Sequence, residues 1–303
     1  MMLIGFEEYR KQARALAAEA GMVHADAEIH HFPDEESLVR LPPELPRRVV
    51  LCRSLDRPNT KLIELVLAAA EARELGARHL TLVAPYLCYM RQDRAFRSGE
   101  AVSQKVIGRL LAEYFDAVIT VDPHLHRVHR LEEAVPARRA LALTAMGPIA
   151  DFLSHHVRHA LLVGPDAESE QWVAEVARRA GMDHVVGRKV RHGDREVEIH
   201  LDGDFDGREV VLIDDVASTG RTLEVAANIA LAGGARSVSV MVTHALFVEN
   251  AVERLLKAGV SHIWSTDSIP HETNAIPLAP LLAPALEETE EDDHAAAEDR
   301  NQP

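Results

Sequence analysis

Residues 210–223 read V-V-L-I-D-D-V-A-S-T-G-R-T-L and constrain the fold more tightly than any other part of the chain. Val210, Val211, Leu212 and Ile213 form a short continuous apolar run, the pattern of a parallel strand buried on both faces. Asp214 and Asp215 mark its carboxyl end. Ser218, Thr219, Gly220, Arg221 and Thr222 then make a hydroxyl-rich turn, after which Leu223, Ala226, Ala227 and Ala230 recur at helical spacing. Such a turn offers backbone N–H groups, hydroxyls and a helix N-terminus to one phosphate. The paired acids stand beside whatever sugar carries it. The stretch therefore predicts a ribose-phosphate site at a strand-to-helix switch. A turn with a solvated acid pair is the plainer reading, but D-D followed by S-T-G-x-T is more specific than that reading requires.

Short apolar runs alternate with helical patterns along the rest of the chain. Strands are expected at 49–52, 80–84, 117–121, 160–163, 237–242 and 262–265. Helices are expected at 6–20, from Asn59 or Thr60 to about Gly76, and at 101–114, 149–159, 169–180, 248–258 and 276–286. His30–Ser37 reads as a polar turn, and residues 187–207 as a charged, glycine-containing loop. This alternation implies an α/β fold of mainly parallel sheets flanked by helices, and the pattern restarts after a Pro- and Gly-containing connection near residue 148. Two similar domains are expected, 1–147 and 148–286, followed by a tail, 287–303.

Charge bounds the partners. The chain of 303 residues carries a formal charge of −15, which argues against a nucleic-acid binder working through bulk electrostatics. Residues 287–303 hold eight acids against Arg300, seven of those fifteen charges, and without apolar periodicity they read as disordered. No apolar run reaches the roughly 18–20 residues of a membrane helix. Cys52 and Cys88 lie in no paired-ligand spacing and read as free, buried thiols of a reducing cytoplasm.

Polar residues cluster where strands end, as ligand-binding residues of open α/β sheets do. Asp122 and His124 follow one strand, and a metal- or phosphate-contacting imidazole is one reading of His124. His126 and His129 read as surface residues. Asp166, in Gly-Pro-Asp, suits Mg2+, which takes one or two carboxylates plus substrate phosphates; a helix cap is the plainer reading. Arg91-Gln92-Asp93-Arg94 presents two guanidiniums around an amide, suited to a polyphosphate and a base edge, or simply a charged loop. Lys189 and Arg191 offer two cations for a phosphoryl-type transition state, against the plainer reading of a basic hairpin edge. His155, His156 and His159 lack an acid or Cys to complete a zinc site and read as a solvated helix face.

In order and spacing these residues resemble the ribose-phosphate diphosphokinases, or phosphoribosyl pyrophosphate (PRPP) synthetases. The resemblance runs from about Phe32 to Leu286. The family's F-x-D-G-E stands here as Phe32-Pro33-Asp34-Glu35-Glu36, and its P-Y-x-x-Y-x-R-Q-D-R as residues 85–94. Its D-x-H is Asp122-Pro123-His124, its P-D is Pro165-Asp166, its K-x-R is Lys189-Val190-Arg191 and its T-H is Thr243-His244. Residues 214–222 match its PRPP loop. The resemblance implies two phosphoribosyltransferase-type domains, the first on the ATP side and the second carrying the ribose 5-phosphate loop. It implies that Phe32, Asp34 and Glu36 hold the adenine end of ATP, often of a neighbouring subunit, and that Arg91 and Gln92 contact ATP. His124 and Asp166 would bind Mg2+, and Lys189 and Arg191 would be the catalytic pair. Asp214 and Asp215 would hold ribose hydroxyls, and Ser218, Thr219, Gly220, Arg221 and Thr222 the 5-phosphate. The implied protein is a cytoplasmic homo-oligomer that makes PRPP and AMP for nucleotide biosynthesis, with no nucleic-acid or membrane partner.

The chain departs from the family pattern at three places. Glu35 replaces a glycine, Pro123 stiffens the metal-binding turn, and Arg221 stands where small residues are common. Two alternatives differ in class. A phosphoribosyltransferase shares the loop but has no use for R-Q-D-R or K-x-R. A non-catalytic regulatory relative would lose the loop cations or metal ligands, which persist here.

Overall fold

In the computed structural model, residues 1–125, 127–192 and 196–287 are described; His126 and residues 288–303, most of the acidic tail, lie outside them. The chain divides into two compact units. One comprises Met1–Leu143 together with the described residues from Leu278, and the other Thr144–Pro277.

The first unit is built on six parallel strands. They are β1 (Met2–Gly5), β2 (Val23–Asp26), β5 (Arg48–Cys52), β6 (His79–Val83), β7 (Ala117–Val121) and β8 (Arg139–Leu143), ordered β2-β1-β5-β6-β7-β8. β3 (Glu28–His31) and β4 (Ser37–Arg40) form a separate antiparallel hairpin. Interior strand β7 is buried at every residue, as a strand covered on both faces must be, whereas edge strand β2 is partly exposed throughout. Helix α1 (Arg10–Glu19) follows β1. Helix α2 (Pro58–Glu74) starts with Pro58 in its first turn, where no amide donor is required, and buries Leu62, Leu65, Ala68, Ala69 and Ala72. α3 (Ser103–Tyr114) packs close to α4 (Leu131–Ala134) because Gly108 lacks a side chain: a Cβ there would stand 1.8 Å from the Ala134 carbonyl oxygen.

The second unit repeats the plan. After α5 (Met146–His156) come β9 (Leu161–Gly164), α6 (Glu170–Ala180) and β10 (Asp183–Val186), then an antiparallel ribbon of β11 (Arg188–His192) and β12 (Glu196–His200). β13 (Glu209–Ala217), α7 (Arg221–Ala232), β14 (Ser237–Ala245), α8 (Ala251–Lys257), β15 (Val260–Thr266) and β16 (Asn274–Ile276) complete it. Its parallel sheet runs β10-β9-β13-β14-β15-β16, the first unit's order with its hairpin in the same place. α7 buries Leu223, Ala226, Ala227 and Ala230, the face its periodicity predicts. α6 ends at Gly181, whose φ of +65 turns the chain so that the Met182 N–H also reaches the Ala177 carbonyl, at 3.0 Å.

Several elements differ from the sequence expectation. His30–Ser37 is the top of a hairpin rather than a free turn, and residues 187–207 include the ribbon rather than only a loop. β1, β2, β8, β10 and β16 lie outside the expected strands. The last helix occupies residues 279–287, with β16 taking Ile276.

Candidate active site

In the second unit the chain leaves β9 for edge strand β10 and returns on the other side as β13, so the order reverses between β9 and β13. Open α/β sheets bind their ligands at such a reversal, beyond the strands' carboxyl ends. Val210, Val211 and Leu212 pair with Leu161, Leu162 and Val163, but β9 stops at Gly164 while β13 continues to Ala217 alongside β14. Asp214 and Asp215 therefore lie within β13, not after it, on the stretch that β9 no longer covers.

Asp166 follows β9 and is 9% exposed; Asp215 is 3% exposed. The Asp166 carboxylate accepts from the Glu168 N–H at 3.1 Å, and the Ser169 hydroxyl completes a capping box. The expected helix cap is thus present, and it fixes the carboxylate beside β13. Loss of hydration, then the charges of Asp215 and Asp166, push the Asp214 pKa well above the usual carboxylate range. Asp214 thus lies within electrostatic reach of both Asp215 and Asp166. Next to them the turn at Ser218, Thr219 and Gly220 leads into α7, with Gly220 at the N-cap in a left-handed conformation, φ +70. Ala217 and Ser218 give their carbonyls to the N–H groups of Phe247 and Val248 at 2.9 and 3.1 Å, which anchors the loop to the chain after β14. Arg221 is exposed, and Thr222 half-buried. Lys189 and Arg191 lie on β11, opposite Ile199 and Val197 of β12; their side chains lie outside the described set.

In the first unit, Arg91 and Gln92 follow β6, and His124 follows β7, at the carboxyl edge of that unit's own sheet. Gln92 accepts from the Ser103 hydroxyl at 2.6 Å, and Asp93 pairs with Arg127 at 2.8 Å, so this loop is hydrogen-bonded in place; Arg91 is exposed. Asp122 takes φ +38, a conformation a non-glycine residue keeps only where its surroundings hold it; its N–H donates to the Leu143 carbonyl. This strained turn presents half-buried His124. Phe32, Asp34 and Glu36 lie exposed at the β3–β4 tip, with Glu35 at φ +71 where a glycine would be strain-free.

Sequence reasoning missed the residues that brace these loops. Arg53 and Glu64 form a buried ion pair at 2.6 Å behind the β3–β4 tip, and Arg254 of α8 hydrogen-bonds to the Thr219 carbonyl. Glu64 had a visible signal, a carboxylate between Leu62 and Leu65 on the buried face of α2. Arg254 had none.

With this geometry in place, comparison with known proteins decides the family. Residues 1–114 match the N-terminal domain of ribose phosphate pyrophosphokinase, and residues 147–287 match a phosphoribosyl transferase domain. The chain belongs to the ribose-phosphate pyrophosphokinase family. A ribose-phosphate pyrophosphokinase of Methanopyrus kandleri is 35% identical over 95% of this chain and 99% of its own length. That of Methanothermobacter thermautotrophicus is 32% identical over 95% of this chain and 100% of its own. The crystal structure of phosphoribosylpyrophosphate synthetase from Mycobacterium smegmatis superposes with a TM-score of 0.83, covering 96% of this chain and 99% of that one at 22% identity, and so shares the fold. Members of the pyrophosphokinase family are enzymes, and the fold is the pair of phosphoribosyltransferase-type α/β units described above. No helix among the described residues is long and apolar enough to cross a membrane.

Proposed function

We propose that this chain transfers the pyrophosphoryl group of MgATP to the anomeric hydroxyl of ribose 5-phosphate, giving PRPP and AMP for nucleotide biosynthesis. The observation that carries this reading is the meeting of Asp166, Asp214 and Asp215 with the Ser218–Thr222 turn at the β9/β13 switch. Acids for a sugar and amides for its phosphate lie side by side there. The second unit is thus the ribose 5-phosphate side and the first the ATP side.

The donor set fits Mg2+. Among the described residues no three His, Cys, Asp or Glu side chains form a ready metal cage. Mg2+ rarely uses one, preferring one or two carboxylates with substrate phosphates and water. Asp166, next to the Asp214-Asp215 pair, supplies the carboxylate such an ion takes. Asp166 would be a ligand for it in the second unit, and His124 a separate candidate ligand in the first. When bound, Mg2+ neutralises phosphate charge during transfer.

The chain's own groups do the rest. Asp214 and Asp215 orient the ribose hydroxyls, and the amides and hydroxyls of Ser218, Thr219, Gly220, Arg221 and Thr222 hold the 5-phosphate, so that the anomeric oxygen attacks in line. Arg91 and Gln92 hold the ATP polyphosphate, and Phe32, Asp34 and Glu36 its adenine. Lys189 and Arg191 stabilise the charge that spreads over the transferring group's oxygens. The exposed tip at Phe32–Glu36 suits a site completed in another copy of the chain, so the working form is a homo-oligomer, placed in the cytoplasm.

The test is incubation with Mg2+, ATP and ribose 5-phosphate. AMP and PRPP should appear together and only with the sugar phosphate. AMP release independent of the sugar phosphate, or none, overturns the reading.

A further inference from the structure

Glu64 is 2% exposed on the apolar face of α2. A carboxylate there is tolerable only with full hydrogen bonding. One oxygen, Oε2, accepts from Arg53 Nη2 at 2.6 Å. The other, Oε1, accepts from His31 Nε2 at 2.7 Å and from the Ser37 hydroxyl at 2.9 Å. Arg53 is 3% exposed and holds Glu64 from a fixed position. Its Nε donates to Glu8 at 2.6 Å, its Nη1 to the Lys61 carbonyl at 3.1 Å, and its plane lies 4.2 Å over the Phe6 ring. The guanidinium thus has no freedom left to follow a moving partner.

His31 and Ser37 face each other across the hairpin and are its last paired residues before the tip. Beyond them the tip closes with the Phe32 N–H on the Glu36 carbonyl and the Glu35 N–H on the Phe32 carbonyl, at 2.8 and 2.9 Å. One oxygen of Glu64 therefore grips both legs of the hairpin where the tip begins. Lower down, Ile29 and Val39 pack against the unit's core, so the base of the hairpin is anchored without Glu64.

From this arrangement we infer that Glu64, held by Arg53, is a positioning residue for Phe32, Asp34 and Glu36 and sets the affinity for the nucleotide donor. The inference rests on the nucleotide role proposed above for that tip. Without the grip the hairpin stays folded, but its tip samples orientations that do not bind, and affinity falls with the competent fraction. The phosphate loop and the reacting atoms are untouched, so the defect falls on one substrate.

The test uses the whole enzyme with His31→Ala, Ser37→Ala and their double variant, whose side chains are outside the core, and Phe32→Ala as the reference. The double variant should raise KM for ATP about tenfold. Its kcat at saturating ATP and its KM for ribose 5-phosphate should stay within about twofold when assayed well below its melting temperature, which falls because Glu64 Oε1 loses two donors. Ser37→Thr keeps the hydroxyl and should behave as wild type. Phe32→Ala separates the two levels of the argument: an unchanged KM for ATP there removes the tip's nucleotide role itself. A raised KM in Phe32→Ala beside an unchanged one in the double variant overturns the positioning role alone, as does an equal loss for both substrates.

Discussion

The guanidinium of Arg254 donates to the backbone carbonyl of Thr219, so the centre of the Ser218–Thr222 turn is held from outside by helix α8. Arg254 is itself fixed by Asn250 and by Glu224 at 3.4 Å, with Glu249 at 3.8 Å. Those acids offset its charge, which makes it a brace rather than a phosphate ligand. The loop's shape is therefore set by a contact between residues 35 positions apart.

Arg254→Ala should raise KM for ribose 5-phosphate about tenfold while leaving KM for ATP within about twofold, since one charge-assisted bond is lost on one side only. Arg254→Lys should recover part of the loss, because an ammonium can donate but cannot span the same partners. Steady-state kinetics with each substrate varied in turn reads this out, and equal effects on both substrates would contradict it.

Gly220→Ala tests the same loop from its backbone. Its φ of +70 costs a non-glycine residue about 1–2 kcal/mol, and the new Cβ would stand 3.4 Å from the Ala251 Cβ. Ribose 5-phosphate should then shift the melting temperature of the variant less than that of the wild type at equal ligand concentration. An unchanged shift would show that the turn tolerates the methyl group.

Lys189→Ala should lower kcat by about 100-fold or more while leaving ribose 5-phosphate binding largely intact, because a charge-stabilising cation acts mainly in the transition state. Single-turnover rates beside equilibrium binding separate the two. Loss of binding equal to the loss of rate would remove the lysine from its assigned role.

Acid stability has named carriers. Burial alone would raise the Glu64 pKa, but hydrogen bonds from Arg53, His31 and Ser37 outweigh it and leave it lowered. Asp116 is likewise lowered: the Leu80 N–H and Arg73 outweigh its burial. A carboxyl with a lowered folded pKa contributes its full stability above its unfolded pKa and loses it as pH falls through the folded value. The melting temperature should therefore fall as pH drops below about 4.5, the ordinary value for Glu64. Glu64→Gln and Asp116→Asn should each melt lower at neutral pH and depend less on pH in that acid range. A wild type with no such acid slope would count against both pairs.

The fold was legible where one segment carries its own signal. The apolar run at 210–213, the helical spacing of Leu223, Ala226, Ala227 and Ala230, and the stop at Gly181 depend on near neighbours, and each took the form expected. Strands β1, β2, β8, β10 and β16 are short and mix apolar with polar or small residues, so no continuous apolar run marks them, and they exist because a partner strand pairs with them. The His30–Ser37 segment looked like a turn because its polar tip is sequence-local, whereas the pairing of β3 with β4 and the grip of Glu64 are not.

From the amino-acid order alone came the alternating α/β plan, the chemistry of the strand-end motifs and the resemblance to ribose-phosphate diphosphokinases, since these need only residue type and spacing. Tertiary structure alone decided that β13 runs past the end of β9, so that Asp214 and Asp215 stand uncovered beside Asp166. It also decided that Arg254 braces Thr219, and Arg53 with Glu64 braces the hairpin. The physical reason is one of range. Propensity and periodicity act over a few residues, whereas a buried charge can be satisfied only by whatever the completed fold brings to it.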